Sequence, residues 1–142
     1  MVLCDRVAAE LGVTFDRERV LAGAALHDAG KIVHPKEMQA PGSRHEPAGE
    51  QLLLANGVDP AIARCCVTHA SWNGPDITIE DLLVALADKL WKGRRDDALE
   101  RRTLGMLERA TGRPAWEVFA AFDAICEAIA ADGPARLARS TA

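Results

Sequence analysis

Two long apolar stretches stand out along the chain, and each has the length of a helix. In Val20–Leu26 every residue is apolar or glycine, and His27 and Asp28 follow directly. Leu82–Trp91 is apolar except at Asp88 and the lysine after it. A helix that is hydrophobic on every face is usually buried. A buried carboxylate is costly unless it is paired, protonated or bound to a metal. The pattern therefore predicts that His27, Asp28 and Asp88 lie in the interior.

Capping residues and helix breakers divide the rest of the chain into further helices. Val2–Leu11 has apolar residues four apart, and a glycine ends it. Ser43 with Glu46, and Thr78 with Asp81, have the spacing of capping boxes, so a helix is predicted to begin at each pair. These signals recur at short intervals throughout the chain and leave little room for any other element.

The predicted fold class is all-α, because no run alternates between apolar and polar residues for more than a few positions. We expect a compact bundle of about six to seven helices, forming a single domain over residues 1–132. The Gly-Pro pair at 133 and 134 ends the last predicted helix, so residues 133–142 are predicted to be a frayed tail.

Composition excludes several classes of protein. The 142 residues suit one domain with a core, and the net charge of −4 gives no general attraction to nucleic acid or to anionic lipid. No apolar run has the length of a membrane span, and residues 1–11 lack the apolar centre of a signal peptide, so we expect a cytoplasmic protein without membrane or nucleic-acid partners. The cysteine spacing indicates reduced, apolar side chains. The composition is compatible with a homodimer.

The pair His27-Asp28 has two interpretations, a metal site and a structural pair. Imidazole nitrogen and carboxylate oxygen suit Mn, Fe, Ni, Zn or Mg, but a histidine hydrogen-bonded in the core beside a turn-forming aspartate would give the same sequence. The surroundings of Asp88 favour a metal site, because its helical neighbours are mostly apolar and the adjacent lysine points elsewhere on the helix. The alternative interpretation is that Asp88 forms an ion pair with a nearby lysine or arginine.

Two further histidines are predicted to face inward. His69 has helical spacing to apolar residues, and His45 lies at the start of a helix on the face that carries Gly49. Each alone is more often a structural histidine than a ligand. Lys31 has the position of a phosphate-binding cation, or of a helix C-terminal cation that interacts with the dipole. His34 is predicted to be solvated in a loop bounded by prolines.

At these residues the chain resembles the HD-domain superfamily of metal-dependent phosphohydrolases. The resemblance covers about residues 2–95. The segments that carry it are ALHDAGK at 25–31, HEPAG at 45–49, VTH at 67–69 and ALADKL at 85–90. The resemblance implies a divalent metal ion held by His27, Asp28 and Asp88. It also implies His45 and His69 as second-metal ligands or as phosphate-binding groups.

One feature departs from the family pattern. The family has a first histidine ligand in its first helix, whereas no histidine precedes His27 here. We expect either that the chain starts late or that this ligand has been lost. Cys4 is a nearby soft donor that could substitute for it. With three protein ligands more coordination positions go to water, so weaker metal binding and lower activity are expected.

The resemblance implies an enzyme that hydrolyses phosphate esters, with a metal-activated water attacking the phosphorus. The expected partner is a small phosphorylated substrate such as a nucleotide. Two alternatives stay open. The same residues would serve a di-iron oxygenase, and a helical regulatory module with a degenerate metal site would have no activity at all.

Overall fold

The computed structural model describes residues 1–141, and this part of the chain contains helices and no strand, which confirms the all-α prediction. Seven of the helices are at least eight residues long. No helix in residues 1–141 combines the length and apolar character that crossing a bilayer requires. The elements in chain order are α1 (Val2–Leu11), α2 (Arg17–Leu26), 3-10 helices at Ala29–Ile32 and Pro35–Met38, α3 (His45–Ala55), α4 (Pro60–Ala63), α5 (Cys65–Thr68), α6 (Ile79–Trp91), α7 (Asp97–Thr111), α8 (Ala115–Ala131) and α9 (Gly133–Ser140).

These elements belong to two compact units. The central unit comprises Asp16–Ala85, and the terminal unit comprises Met1–Phe15 together with the chain from Leu86 onward. Each unit has its own buried apolar residues. The prediction of one domain over residues 1–132 stays a prediction.

The terminal unit is built on the packing of α1 and α7 against α8. The apolar spacing of α1 buries Leu3, Val7 and Leu11, as the sequence predicts. The facing stripe of α8 includes Val118 and Phe122, which are almost completely buried. Full burial of each such side chain stabilises the folded state by about 1.5–3 kcal/mol.

The predicted frayed tail is wrong over residues 133–140, which form α9. The Gly-Pro pair does not end the helical region but permits a close approach. A Cβ at Gly133 would lie 2.2 Å from the Cα of Gly93, so only glycine fits there. The Arg136 guanidinium then donates hydrogen bonds to the carbonyls of Leu90, Trp91 and Ile129, which hold α9 in place.

The central unit packs α3 against the first 3-10 helix and against α5. Leu53 of α3, Ala63 of α4 and Cys66 of α5 form a buried apolar cluster. Leu26 and Ala29, on either side of the His27-Asp28 pair, pack against this cluster. The hydrophobic contacts therefore fix the chain just before and just after the two residues of greatest chemical interest.

Burial along α2 is less complete than its apolar sequence predicts. Val20 and Gly23 are buried, but Ala25 is exposed and the remaining residues of Val20–Leu26 are only partly covered. The stretch consists largely of alanine and glycine, whose small surfaces cost little free energy when they stay in contact with water. The prediction of a helix buried on every face is therefore wrong for α2.

In α6 the prediction of a helix buried on every face is confirmed over Asp81–Leu86, where every residue is buried. The fully buried carboxylate of this helix is Asp81, with a relative exposure of 0%. Asp81 accepts hydrogen bonds from the backbone N–H and hydroxyl of Thr78, whose hydroxyl in turn accepts one from the Asp81 N–H. The predicted Thr78–Asp81 capping box is thus confirmed, and Arg19 and Arg64 form ion pairs with the same carboxylate at 3.2 and 3.3 Å.

Replacing Asp81 by alanine is expected to lower the free energy of unfolding by about 3 kcal/mol, because two guanidinium groups and a helix N-terminus lose their common acceptor. The effect falls at the lower end of the range for buried ion pairs, since both arginines keep some contact with solvent. Urea denaturation measures it. Asp76→Ala, at an exposed aspartate nearby, is the matched control. Equal midpoints for the two variants would contradict a stabilising role for the Asp81 contacts.

Candidate metal centre

His27 and Asp28 lie where α2 ends. His27 is the C-cap residue, and its backbone N–H donates to the Gly23 carbonyl. Asp28 precedes the 3-10 helix Ala29–Ile32 and has a side chain that is 38% exposed, compared with 14% for His27. His27 therefore lies mainly in the interior, as predicted, whereas the Asp28 carboxylate reaches solvent.

The C-terminal end of α5 brings a third candidate ligand to this point. His69 is buried, as its helical spacing predicts, and its ring centroid lies 4.7 Å from that of His27. His27, Asp28 and His69 can each offer one ligand atom such that all three atoms lie within 4.8 Å of one another. Two imidazoles and a carboxylate at this separation are a donor set that divalent transition metals accept.

The hydrogen bonds of both rings suit this role. The Nδ1 of His27 lies 2.8 Å from the Ala24 carbonyl oxygen, and the Nδ1 of His69 lies 2.9 Å from the Cys65 carbonyl oxygen. A carbonyl oxygen only accepts, so each Nδ1 must carry the proton and donate it. In the neutral ring the lone pair then lies on Nε2, which is the orientation that metal-binding histidines usually have.

His45 lies beside this group. It is buried, as predicted, and its Nε2 is 3.5 Å from the Oδ1 of Asp28. Its ring centroid is 6.1 Å from that of His69. The structure therefore brings His27, Asp28, His45 and His69 together within the central unit, with His45 at the edge of the three-residue group.

Glu37 is a residue of this site that the sequence analysis missed. Its Oε2 accepts a hydrogen bond from the Nδ1 of His45 at 2.6 Å, and its two oxygens also accept from the backbone N–H groups of Arg44 and His45. Burial opposes the charged form, but these hydrogen bonds outweigh it and lower the pKa of Glu37. An ionised Glu37 holds a proton of His45 on Nδ1 and orients Nε2 toward Asp28.

The same contacts correct the prediction for the start of α3. The predicted Ser43–Glu46 capping box is wrong, because the first N–H groups of α3 are capped by Glu37 from the preceding 3-10 helix. The Ser43 carbonyl accepts from the Glu46 N–H instead. A carboxylate suits this place, since the N-terminus of a helix carries partial positive charge.

Replacing Glu37 by glutamine is expected to weaken the binding of a metal ion that His45 ligates about 10- to 100-fold, because the ring of His45 loses the charged acceptor that orients it. Calorimetric titration with Mn or Ni measures the change, and nitrogen NMR of the imidazole reports whether a single tautomer persists. Glu117→Gln, at an exposed glutamate of α8, is the matched control. Unchanged affinity together with an unchanged His45 tautomer would contradict the orienting role.

The charge of Asp28 is balanced by cations. Burial raises its pKa, but the hydrogen bond from Lys31 at 2.8 Å and the attraction of Lys31, His27 and His69 outweigh burial, so the pKa of Asp28 is lowered. The carboxylate is therefore ionised at neutral pH and ready to act as a ligand. Lys31, predicted as a phosphate-binding cation, places its ammonium group directly beside it.

Asp88 lies in the terminal unit, near the end of α6. Its carboxylate is 14% exposed and forms an ion pair with Lys92 at 2.8 Å, one of the pairings that the sequence left open. Its role as a metal ligand stays a prediction. Cys4 is a buried, unbridged thiol of the terminal unit.

The cysteines closest in sequence to His69 are poor ligands. Burial raises the pKa of Cys65 and of Cys66 to about 11, so both are neutral thiols at physiological pH. Metals bind the thiolate form. The candidate ligand group within the described part of the central unit consists of two imidazoles and a carboxylate.

Comparison with known proteins supports the resemblance. The family model of the HD domain matches residues 1–91. No curated protein and no solved structure gives a significant match. The matched region spans well over half of the chain and includes the His27-Asp28 pair, His45, His69 and Asp88. The chain therefore belongs to the HD-domain family, whose superfamily is that of metal-dependent phosphohydrolases.

Proposed function

We propose that this protein is a metal-dependent phosphohydrolase that cleaves a phosphate ester of a nucleotide or of another small phosphorylated molecule. The observation that carries the proposal is the approach of His27, Asp28 and His69, whose candidate ligand atoms lie within 4.8 Å of one another. Family membership supports the reaction class, and the donor atoms support the presence of a divalent ion.

The residues divide into those that bind the metal and those that assist. His27 and His69 present Nε2, and Asp28 presents an ionised oxygen. Asp88 is proposed as a further ligand on the family pattern. A divalent ion in such a site lowers the pKa of a bound water and offsets charge on the phosphoryl oxygens.

The assisting residues supply charge and orientation. Lys31, whose ammonium group is 2.8 Å from Asp28, is placed to balance the negative charge of a phosphate next to that carboxylate. His45 is held by Glu37 with its Nε2 toward Asp28. It is proposed to donate a hydrogen bond to a phosphate oxygen when protonated, or to bind a second metal ion when neutral.

The test is the hydrolysis of aryl phosphate and nucleotide substrates after purification without chelators, with Mn, Co, Ni, Zn or Mg added. Metal-dependent release of phosphate that is lost in Asp28→Asn and kept in Asp132→Asn supports the proposal. Asp132 is a suitable control because its side chain is 78% exposed at the end of α8. Bound iron with oxygen consumption and no phosphate release would support an oxygenase instead. A protein that retains no metal and has no activity would support the regulatory module.

A further inference from the structure

A cavity lies in the central unit beside the candidate metal centre. We call it the loop cavity, and its volume is about 370 Å³. This is within the range of roughly 300–1,000 Å³ that small-molecule sites occupy. It is formed by the second 3-10 helix, the residues before it and the residue before α3. The lining residues are Val33, His34, Pro35, Lys36, Glu37 and Arg44.

The loop cavity shares one wall with the candidate metal centre. Glu37 lines the cavity and accepts the hydrogen bond of His45 at 2.6 Å. On its other side, His45 points Nε2 to within 3.5 Å of Asp28. One glutamate and one imidazole ring therefore lie between the cavity and the carboxylate of the metal centre.

The charge of the lining is suited to an anion. Lys36 and Arg44 contribute two cations, and His34 contributes an imidazole. Within residues 1–141 the side chains of Lys36 and Arg44 form no ion pair, whereas Lys31 and Lys92 are each paired with an aspartate. The one acidic group of the lining is already committed, because Glu37 accepts three hydrogen bonds from Arg44 and His45.

We propose that the loop cavity is a second anion subsite, which binds a phosphate group of the substrate remote from the ester that is cleaved. This inference rests on the proposed function and narrows it to substrates that carry two separated phosphate groups. The guanidinium of Arg44 offers the planar fork that pairs with two phosphate oxygens, and Lys36 adds a point charge. Val33 and Pro35 supply apolar surface for the part of the substrate that joins the two phosphates.

Binding of alkane bisphosphonates of increasing chain length, compared with alkyl monophosphonates of the same length, tests the subsite. Isothermal titration at saturating Mn measures both. The wild-type protein should prefer a bisphosphonate of matching length about tenfold or more, as one additional charge-assisted contact allows. Arg44→Gln and Lys36→Gln should each remove most of this preference while metal affinity is unchanged. Arg139→Gln, on exposed α9, is the matched control.

The design separates the subsite from other effects. Bisphosphonates also chelate metal ions, but chelation is the same for the wild type and for Arg44→Gln, so only the difference between them counts. The backbone N–H of Arg44 that donates to Glu37 is retained in the glutamine variant, which protects the start of α3. Equal affinity for both ligand series in a metal-binding wild type overturns the subsite alone. A wild type that binds no metal and hydrolyses no ester overturns the proposed function and this inference together.

Discussion

Replacing Gly30 by alanine is expected to disrupt the central unit, with a loss of at least about 4 kcal/mol in the free energy of unfolding. A Cβ at this position would lie 1.8 Å from the carbonyl oxygen of His45 and 2.6 Å from the backbone nitrogen of Gly49. Both are backbone atoms of α3, so no side-chain rotation can relieve the overlap. The 3-10 helix Ala29–Ile32 would have to move away from α3.

This movement has a direct chemical consequence. Gly30 follows Asp28 by two residues, and the overlap is with His45 itself, so separating the two elements lengthens the 3.5 Å approach of His45 to Asp28. Any Gly30→Ala protein that folds should therefore bind metal more weakly than the wild type. Gly49→Ala should have a smaller effect, since its Cβ would meet the Gly30 nitrogen at 2.8 Å and the Cys66 sulfur at 2.9 Å, which are both longer approaches than the 1.8 Å at Gly30.

Gly105→Ala is the matched control for these substitutions. Gly105 lies inside α7, and the nearest atom to a Cβ there is a side-chain nitrogen of Arg109 at an ordinary 3.6 Å. Alanine should stabilise that helix by about 0.5–1 kcal/mol. Thermal melts and metal titrations of the three variants make the comparison. If Gly30→Ala melts at the wild-type temperature, the close approach of the two backbones is wrong.

The role of Gly30 illustrates how far the sequence predicts this fold. Gly30 lies inside the 3-10 helix Ala29–Ile32. The end of α1 and the Thr78–Asp81 capping box, in contrast, were correctly predicted from local sequence. These features depend on residues within a few positions of one another. What the sequence could not provide is the reason for glycine at position 30, which is the carbonyl of a residue fifteen positions later.

The burial of individual carboxylates is likewise not predictable from local sequence. Periodicity identified α6 as an apolar helix, but the completely buried carboxylate is Asp81, whereas Asp88 keeps 14% exposure and a lysine partner. Both aspartates lie on α6, Asp81 directly before the apolar stretch Leu82–Trp91 and Asp88 within it. Asp81 is the one that is completely buried, because arginines from α2 and from the α4–α5 junction form ion pairs with it. These contacts join residues far apart in the chain.

The candidate site was predictable where its residues belong to a motif and unpredictable where they do not. His27, Asp28, His45 and His69 all lie in segments that resemble the HD pattern, and the fold of the central unit brings them together. Glu37 lies in the short 3-10 helix Pro35–Met38, a segment without apolar periodicity, eight residues before its partner His45. Its contact is determined by the path of this segment over the start of α3, for which local sequence gives no signal.

The second large effect is expected from metal binding. At a free concentration of about a hundred times the dissociation constant, Mn or Ni should raise the free energy of unfolding by about 2.7 kcal/mol, because the ion binds the folded state only. Asp28→Asn and His69→Ala should lose most of this response, since each removes one of the three grouped donors. Thermal melts with and without metal measure it, and removal of the metal with a chelator should reverse it.

The comparison uses the change in stability on adding metal, and not the stability itself. His69 is buried, so its loss destabilises the fold through packing even if no ion ever binds. His34→Ala is the matched histidine control, because His34 lines the loop cavity and lies outside the three-residue group. It should keep the full wild-type response. Equal responses in His34→Ala and His69→Ala would mean that His69 is a structural histidine.

Asp88→Ala completes the series and decides between two forms of the site. If Asp88 is a ligand, this variant should lose the metal response as Asp28→Asn does, although its carboxylate has Lys92 as an ion-pair partner in the metal-free protein. If Asp88 is a ligand, its carboxylate must exchange the Lys92 ammonium for the metal ion on binding. If Asp88→Ala instead keeps the wild-type response, the ion is held by His27, Asp28 and His69 alone, and the remaining coordination positions belong to water and substrate.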